Sequence, residues 1–167
     1  MKKTYLLLPI LLLFSIFACQ EAKEEESGLS AVIGNDTQIV NGNYTIRAVH
    51  SNKCLDVPAS SKANIQVQQF DCNGSNAQLW RITKVDGRFV SIVNVNSNKA
   101  LDIAGASVVD GAQVLQFDIR NGQPNQQFSI EGGGGQLAIR ARHSGKVLDV
   151  VGRSTANAAK VQQFNDF

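Results

Sequence analysis

Three aspartates recur along the sequence at a spacing of about 46 residues, and each lies inside an apolar triplet. A second string recurs after each triplet and contains a phenylalanine preceded by one or two glutamines. A carboxylate can accept hydrogen bonds from two neighbouring hydroxyls, amides can complete the pattern, and a flat ring can pack against C–H groups. This combination predicts a site for a molecule with several hydroxyl groups. The triplets and strings are Leu55-Asp56-Val57 with Val67-Gln68-Gln69-Phe70-Asp71, Leu101-Asp102-Ile103 with Val114-Leu115-Gln116-Phe117-Asp118, and Leu148-Asp149-Val150 with Val161-Gln162-Gln163-Phe164-Asn165.

The sequence offers little that would support catalysis. It contains no nucleophile–histidine–acid arrangement, and the four glycines at 132–135 predict a hairpin turn because no lysine follows them. A glycosidase needs two carboxylates about 5 to 10 Å apart, whereas the recurring aspartates belong to different repeats. His50 and His143 lie in polar turns and are interpreted as solvated turn residues. We expect no enzymatic activity, no cofactor and no metal site, since the cysteines and histidines lack metal-ligand spacing.

Each repeat carries the sequence pattern of several short strands. Apolar residues alternate with other residues before each triplet, which indicates a strand with one face in a core. The alternating pairs are Tyr44 and Ile46, Val90 and Ile92, and Leu137 and Ile139. Two repeats then continue with a Gln-x-aromatic string. These strings are Gln78-Leu79-Trp80 and Gln126-Gln127-Phe128.

One unit of about four strands cannot bury its own apolar face, but three units can close around a pseudo-threefold axis and leave no exposed sheet edge. The sequence therefore predicts an all-β chain folded as a β-trefoil of three repeats. The alternatives are a β-propeller fragment or a solenoid, but three blades do not close and the Gly-His and Trp-Asp blade signatures are absent. Gln69, Gln116 and Gln163 recur where the strand should face the core, and the sequence alone assigns them no role.

The triplet, the Val-Gln-x-aromatic string, the cysteines of CLDV and FDC, and the Gln-x-Trp strand resemble the ricin B-chain lectin family and its bacterial relative, carbohydrate-binding module family 13. The resemblance covers about residues 42–167. It implies a carbohydrate-binding domain whose usual ligands are galactose- or xylose-containing glycans. It also implies a disulfide between Cys54 and Cys72, which would tie the Asp56 strand to the following loop and keep the first site preformed.

The same resemblance implies one sugar site in each repeat. In each site an aspartate would accept hydroxyl hydrogens, amide side chains would add hydrogen bonds, and a phenylalanine would form a stacking wall. The implied sugar-binding residues are Asp56, Gln68, Phe70 and Asn73 in the first repeat, Asp102, Phe117, Asn125 and Gln126 in the second, and Asp149, Gln162 and Phe164 in the third. Leu115 replaces a glutamine in the second repeat and no cysteine pair is present there, so the resemblance implies a sugar site in that repeat less strongly than in the first. The residues interpreted as structural are Gln78, Trp80 and Phe128.

The first residues have the pattern of an export signal. Lys2 and Lys3 precede an apolar run that is too short for a membrane-spanning helix, which needs about 20 apolar residues. The run ends in Ile16-Phe17-Ala18-Cys19, which resembles the bacterial lipobox. We predict a signal peptide over 1–18, a lipidated Cys19 and an acidic flexible tether over 19–40; the alternative is plain secretion with cleavage after Ala18. The expected location is the bacterial outer membrane or cell surface, with the lipid anchor as the membrane contact.

The β-trefoil domain is predicted over 41–167, with repeats at about 42–87, 88–134 and 135–167. The third repeat reaches Phe167 before a Gln-x-aromatic strand occurs. Either the sequence is truncated, or the apolar residues within 31–40 fill the missing strand position.

The predicted function is that of a non-catalytic, envelope-tethered lectin domain, monomeric, whose partners are glycans or polysaccharide. The formal net charge of +2 gives no reason to expect a nucleic-acid partner. Each shallow site should bind a sugar weakly, at about millimolar, and several sites together should gain affinity through avidity. Two alternatives stay open. One is a β-trefoil scaffold for protein interaction or inhibition without sugar binding, and the other is a truncated binding module of a glycoside hydrolase.

Overall fold

The structure, a computed structural model, describes residues 14–18, 39–133 and 136–166. In these residues the chain forms thirteen β-strands and five short 3-10 turns. The strands are β1 (Phe14–Ala18), β2 (Gly42–Ala48), β3 (Cys54–Asp56), β4 (Ile65–Gln66), β5 (Gln68–Phe70), β6 (Trp80–Asp86), β7 (Phe89–Asn94), β8 (Ala100–Ile103), β9 (Val114–Phe117), β10 (Gln127–Gly133), β11 (Gln136–Ala141), β12 (Val147–Val150) and β13 (Val161–Phe164). The 3-10 turns are Pro58–Ser60, Asn76–Gln78, Ala104–Ala106, Pro124–Gln126 and Val151–Arg153. None of the helical segments in the described part of the chain has the length and apolar character to cross a bilayer.

Six long strands form a closed antiparallel ring. The pairs run from β1 to β2, β6, β7, β10 and β11, and β11 pairs again with β1. The alternating residues predicted from the sequence face the inside of this ring, where Ile46, Ile92 and Ile139 are fully buried. A ring of this kind leaves no sheet edge in the barrel, as the three-repeat prediction requires. The predicted all-β trefoil is confirmed.

Each recurring aspartate triplet lies in a short hairpin attached to this ring. The hairpins pair β3 with β5, β8 with β9 and β12 with β13. The register places Asp56 opposite Gln68, Asp102 opposite Leu115, and Asp149 opposite Gln162. Opposite residues of antiparallel strands project from the same face, so each aspartate shares a face with the residue that follows the valine of the string.

The strand missing from the third repeat is replaced by the N-terminal segment β1. Phe14 pairs with Leu137 of β11 and with Ala48 of β2. Its register position is therefore equivalent to that of Trp80 in the first repeat and of Phe128 in the second. Residues 14–18 also belong to the predicted signal peptide over 1–18, and that stays a prediction. The edges of β2 and β11 can pair with an apolar, β-prone segment, and an export signal has the same composition.

The other segment considered for this position, residues 31–40, is described only from residue 39. Ile39 packs against the core, and Val40 is exposed. The predicted tether, the lipidated Cys19 and residues 31–38 lie outside the described residues.

The core contains two large aromatic residues on equivalent strands. Trp80 and Phe128 are both completely buried. The indole Nε1 of Trp80 donates a hydrogen bond to the backbone oxygen of Leu55 at 3.0 Å, so its polar atom is satisfied inside the core. Because Leu55 precedes Asp56, this bond also positions the aspartate strand over the barrel.

The three unassigned glutamines connect neighbouring repeats. Gln116 is completely buried, its Oε1 accepts a hydrogen bond from the Ser97 hydroxyl, and its Nε2 donates to the backbone oxygens of Ser61 and Ala63. Gln69 and Gln163 make the same contacts around the pseudo-threefold axis. Their partners are Ser51, Ser154 and Ala156 for Gln69, and Ser144, Ser107 and Val109 for Gln163. Each buried glutamine therefore holds the loop of the preceding repeat, the third preceding the first, and both polar atoms of its own amide are satisfied by these contacts.

Candidate functional site

The three aspartates are buried but lie at the surface end of their hairpins. Asp56 is 6% exposed, Asp102 is 5% exposed and Asp149 is 9% exposed. Buried carboxylates need hydrogen-bond donors to stay charged, and each receives amide N–H groups from its own repeat. The three sets of donors differ, so the sites are described separately.

In the first repeat both carboxylate oxygens of Asp56 are engaged by glutamines. Gln68 Nε2 donates to Oδ2 at 2.9 Å, and Gln78 Nε2 donates to Oδ1 at 3.1 Å. Gln78 also donates to the backbone oxygen of Asp71, so it braces Asp56 against the following loop, as a structural residue would. Phe70 is 36% exposed on the neighbouring strand.

The predicted disulfide is present in this repeat. Cys54 and Cys72 are bonded, with their Cα atoms 5.1 Å apart. Cys54 lies next to Asp56 on β3, and Cys72 lies in the exposed loop that follows Phe70. The bond fixes this loop against the aspartate strand.

Asn73 was expected to supply a second amide to the first site, but its contacts lie in the loop. Its Oδ1 accepts a hydrogen bond from the backbone N–H of Ser75, and its own backbone N–H donates to Gln78 Oε1. The asparagine that reaches an aspartate in the second repeat, Asn125, stands directly before Gln126, and the residue directly before Gln78 is Ala77. Aligning the two Gln-x-aromatic strings would have shown this difference.

The second repeat also places two side-chain amides on its aspartate, but both bind the same carboxylate oxygen. Asn125 Nδ2 and Gln126 Nε2 both donate to Oδ2 of Asp102, at 2.9 and 2.8 Å. Oδ1 of Asp102 receives no hydrogen bond from the residues that the structure describes. Gln126 was expected to contact sugar, but it is 4% exposed and braces Asp102 as Gln78 braces Asp56, with a further bond to the backbone oxygen of Asp118.

A pocket of about 260 Å³ opens over Asp102. Its wall includes the half-buried ring of Phe117 and the side chain of Leu115, which stands where the first repeat has Gln68. The Arg120 guanidinium also lines the pocket, with its Cζ atom 4.8 Å from the centroid of the Phe117 ring. The pocket therefore combines a carboxylate, two amides, a flat ring and one cation. The complete lining is Asp102, Gly105, Ala106, Leu115, Phe117, Arg120, Gln123 and Asn125.

The third repeat keeps a smaller part of this arrangement. Gln162 Nε2 donates to Oδ2 of Asp149 at 2.7 Å, and Phe164 is half-buried two residues further along β13. In the described part of the chain no second side-chain amide reaches Asp149. Burial raises the pKa of both Asp149 and Asp102, and the amide hydrogen bonds oppose this shift only in part.

A second, larger cleft of about 560 Å³ lies beside the disulfide. It is bounded by the outer face of β2, with Asn43, Thr45 and Arg47, and by the loop that contains Cys72 and Ser75. The sequence analysis does not predict this cleft, because the cysteine pair beside it occurs in the first repeat and has no counterpart in the other two.

The chemistry of the described sites is that of hydrogen bonding and stacking. The pocket over Asp102 has a single carboxylate in its lining, whereas hydrolysis of a glycosidic bond uses a pair. Within the described residues no three His, Cys, Asp or Glu side chains lie together in a way that could hold a metal ion.

Comparison with known proteins agrees with this geometry. The family model described as ricin-type beta-trefoil lectin domain-like matches residues 32–117 and 90–164. A comparison with curated protein sequences gives no significant match.

Several solved structures are similar to the chain. The designed threefold-symmetric protein ThreeFoil is 38% identical, with a TM-score of 0.73 over 75% of this chain and 90% of that one. The exo-beta-1,3-galactanase of Clostridium thermocellum is 37% identical, with a TM-score of 0.71 over 74% of this chain, but the match spans only 27% of that enzyme. The Rhizoctonia solani agglutinin, at 22% identity and a TM-score of 0.70 over 78% of this chain and 90% of that one, shares the fold.

The two matches of the family model together span residues 32–164, which is well over half of the chain. The chain therefore belongs to the ricin-type beta-trefoil lectin domain-like family.

Proposed function

We propose that this protein is a non-catalytic lectin domain and that the pocket over Asp102 is its principal sugar site. The observation that carries the proposal is the state of the Asp102 carboxylate. Asn125 and Gln126 hold Oδ2, while Oδ1 receives no bond from the described residues, and Phe117 lines the same pocket as Asp102. A sugar hydroxyl can donate to Oδ1 while the C–H face of the ring packs on the phenylalanine.

The other two repeats support weaker sites. Both oxygens of Asp56 already accept glutamine N–H groups, so a ligand there must share them. Asp149 has one side-chain amide partner. Two or three weak sites on one rigid body favour polymers with repeated sugars over single sugars, because the second contact is intramolecular.

The proposed ligands are galactose- or xylose-containing glycans. The family resemblance supports this class, and so does the similarity to a galactanase at 37% identity. The activity of that enzyme is not proposed for this chain, because the match spans 27% of the enzyme and the Asp102 pocket has one carboxylate.

We also propose that the protein is exported and anchored to the cell envelope by lipid on Cys19. The support is the Ile16-Phe17-Ala18-Cys19 sequence at the end of a short apolar run. Cleavage at this position would also remove β1 from the chain, since β1 ends at Ala18. Mass spectrometry of the protein from its native membrane, compared with a Cys19→Ser variant, tests the anchor directly.

The test of sugar binding is an Asp102→Asn substitution, which removes the charged acceptor with little change in volume. We expect binding to galactose- and xylose-containing oligosaccharides, measured by glycan array and calorimetry, to weaken at least about tenfold, because bonds to charged groups contribute roughly 1.5–3 kcal/mol.

The matched control for this test is Asp86→Asn. Asp86 is exposed, contacts Arg142 and lies away from the pocket, so its variant should bind as the wild type does. If the wild type binds none of the glycans on the array and a protein partner is captured instead, the scaffold alternative is favoured. Release of reducing sugar by the purified wild type would overturn the non-catalytic assignment.

A further inference from the structure

Arg120 gives the second repeat a cation at its sugar site. The guanidinium lines the same pocket as Asp102 and stacks on the Phe117 ring, 4.8 Å from its centroid. The equivalent position in the first repeat is Asn73, whose side chain is engaged in a turn. The cation is therefore a feature of this pocket and is not part of the repeated pattern.

The backbone around Arg120 is held in place. Its N–H donates to Gln126 Oε1 at 2.8 Å, and Gln126 is the residue that braces Asp102. Its backbone oxygen accepts the N–H of Gln123, a further residue of the pocket lining. The Arg120 backbone and the Asp102 carboxylate are thus both held by Gln126, and the Phe117 ring contacts the guanidinium, which lowers the cost of ordering the site on binding.

The guanidinium keeps its hydrogen-bond donors available. Among the described residues, no carboxylate lies within ion-pair distance of Arg120. The nearby Asp118 is engaged by Lys99 and Asn64 instead. A guanidinium that stacks on an aromatic ring still presents its planar edge, and this edge matches a carboxylate in a bidentate geometry.

We propose that this pocket prefers an acidic sugar, a hexuronate whose ring hydroxyls bind Asp102 and Asn125 and whose carboxylate binds Arg120. The inference rests on the proposed function, because it needs the pocket to be a sugar site. Asp102 lies buried at the base of the pocket and Arg120 lies exposed at its solvent side. A hexuronate has a matching arrangement, because its ring hydroxyls can bind the acceptor and its negative charge lies apart from them on the exocyclic carboxylate. At about 260 Å³ the pocket suits one sugar residue rather than a long segment.

The test compares two ligands of equal length, a trigalacturonate and a neutral β-1,4-galactotriose, on the full chain by calorimetry. We expect the trigalacturonate to bind about three- to tenfold more tightly at low salt, and this ratio to fall toward one as salt screens the ion pair. Arg120→Gln should bring the ratio to about one at low salt, and Arg120→Lys should keep part of it, since the charge remains but the planar fork is lost.

The matched control is Arg81→Gln, which removes an exposed arginine that contacts Asn98 and does not line the pocket. This variant should keep the wild-type ratio. The inference is overturned if the preference for trigalacturonate persists in Arg120→Gln, or if the wild type prefers the neutral galactotriose. In either case, binding of the galactotriose still upholds the proposed function. Absence of binding to either ligand overturns both. Binding that depends on Arg120 for a galactotriose sulfated at O6, with none for trigalacturonate, would contradict the assignment to a carboxylate.

Discussion

Burial decides how the site aspartates respond to pH. Loss of water around the carboxyl raises the pKa of Asp102, and the Gln126 bond and the Arg120 charge oppose this shift only in part. The pKa of Asp149 is raised for the same reason, against the Gln162 bond. A protonated carboxyl loses part of its capacity to accept a sugar hydroxyl. On acidification, Asp102 and Asp149 therefore become protonated at a higher pH than an ordinary exposed aspartate does.

We predict that glycan binding weakens on acidification at a pH above about 3.9, the usual aspartate value. The folded pKa of both groups is higher than the unfolded one, so these two groups favour folding more as pH falls through that window. Hydrogen bonds from Asn157 and Lys53 lower the pKa of Asp71, and hydrogen bonds from Lys99 and Asn64 lower the pKa of Asp118. The contribution of these two groups to stability is therefore lost only as pH falls through their lowered folded pKa values. The domain should then stay folded while binding is lost. Calorimetric titrations between pH 7 and pH 3.5 with melting curves at each pH check this, and binding that is constant down to pH 3.5 would contradict it.

The residue types of the site were predictable from the sequence, but the partners of each aspartate were not. Asp102 and Phe117 were identified because they repeat, and repetition marks a shared environment. Arg120 was missed because it is not repeated, and Asn73 was chosen because it follows Cys72 closely in sequence. The resemblance implied Asn125 as an amide of the second site, but only the hydrogen bonds show that Asn125 and Gln126 donate to the same oxygen of Asp102.

At the scale of elements, the hairpins and loops depend on the buried glutamines. Gln116 joins its own strand β9 to Ser97 and to the loop of the first repeat at Ser61 and Ala63. No local pattern of strand or turn could reveal this, since the partners are 53 and 55 residues away and are backbone oxygens. The strands themselves were predictable, because alternation of apolar residues is a local signal.

We predict that Gln116→Leu lowers the free energy of unfolding by about 2–3 kcal/mol, because two carbonyls and a hydroxyl lose a buried partner. Urea denaturation measures the change. Gln113→Leu is the control from the same repeat, since Gln113 is exposed, and it should change stability by less than about 0.5 kcal/mol. Equal effects of the two substitutions would show that the glutamine contacts do not hold the loops.

At the scale of the whole molecule, the closed ring of six strands depends on β1. The ring would be open between β2 and β11 without Phe14–Ala18. The number of repeats and their closure followed from the sequence, because three copies of one unit have few ways to close. The strand that completes the third copy could not be predicted, because its residues also fit an export signal and lie far from their partners in sequence.

We predict that Ile16→Pro in the uncleaved chain destabilises the ring, because proline removes a backbone donor from a strand with partners on both sides. Hydrogen exchange should become at least about tenfold faster at the β2 and β11 amides that face β1. The amides shared by β6 and β7, such as Ile82 and Ile92, provide an internal control because they do not contact β1. Unchanged exchange in β2 and β11 would show that β1 contributes nothing to the ring.

The glutamine contacts described above run in one direction around the axis. The loop of the first repeat is held by the second, that of the second by the third, and that of the third by the first. Such a cycle has no terminal unit from which fraying can start, in contrast to an open stack of repeats. Melting of any one unit withdraws contacts from both others, so denaturation should disrupt the aspartate hairpins of all three repeats in a single cooperative step.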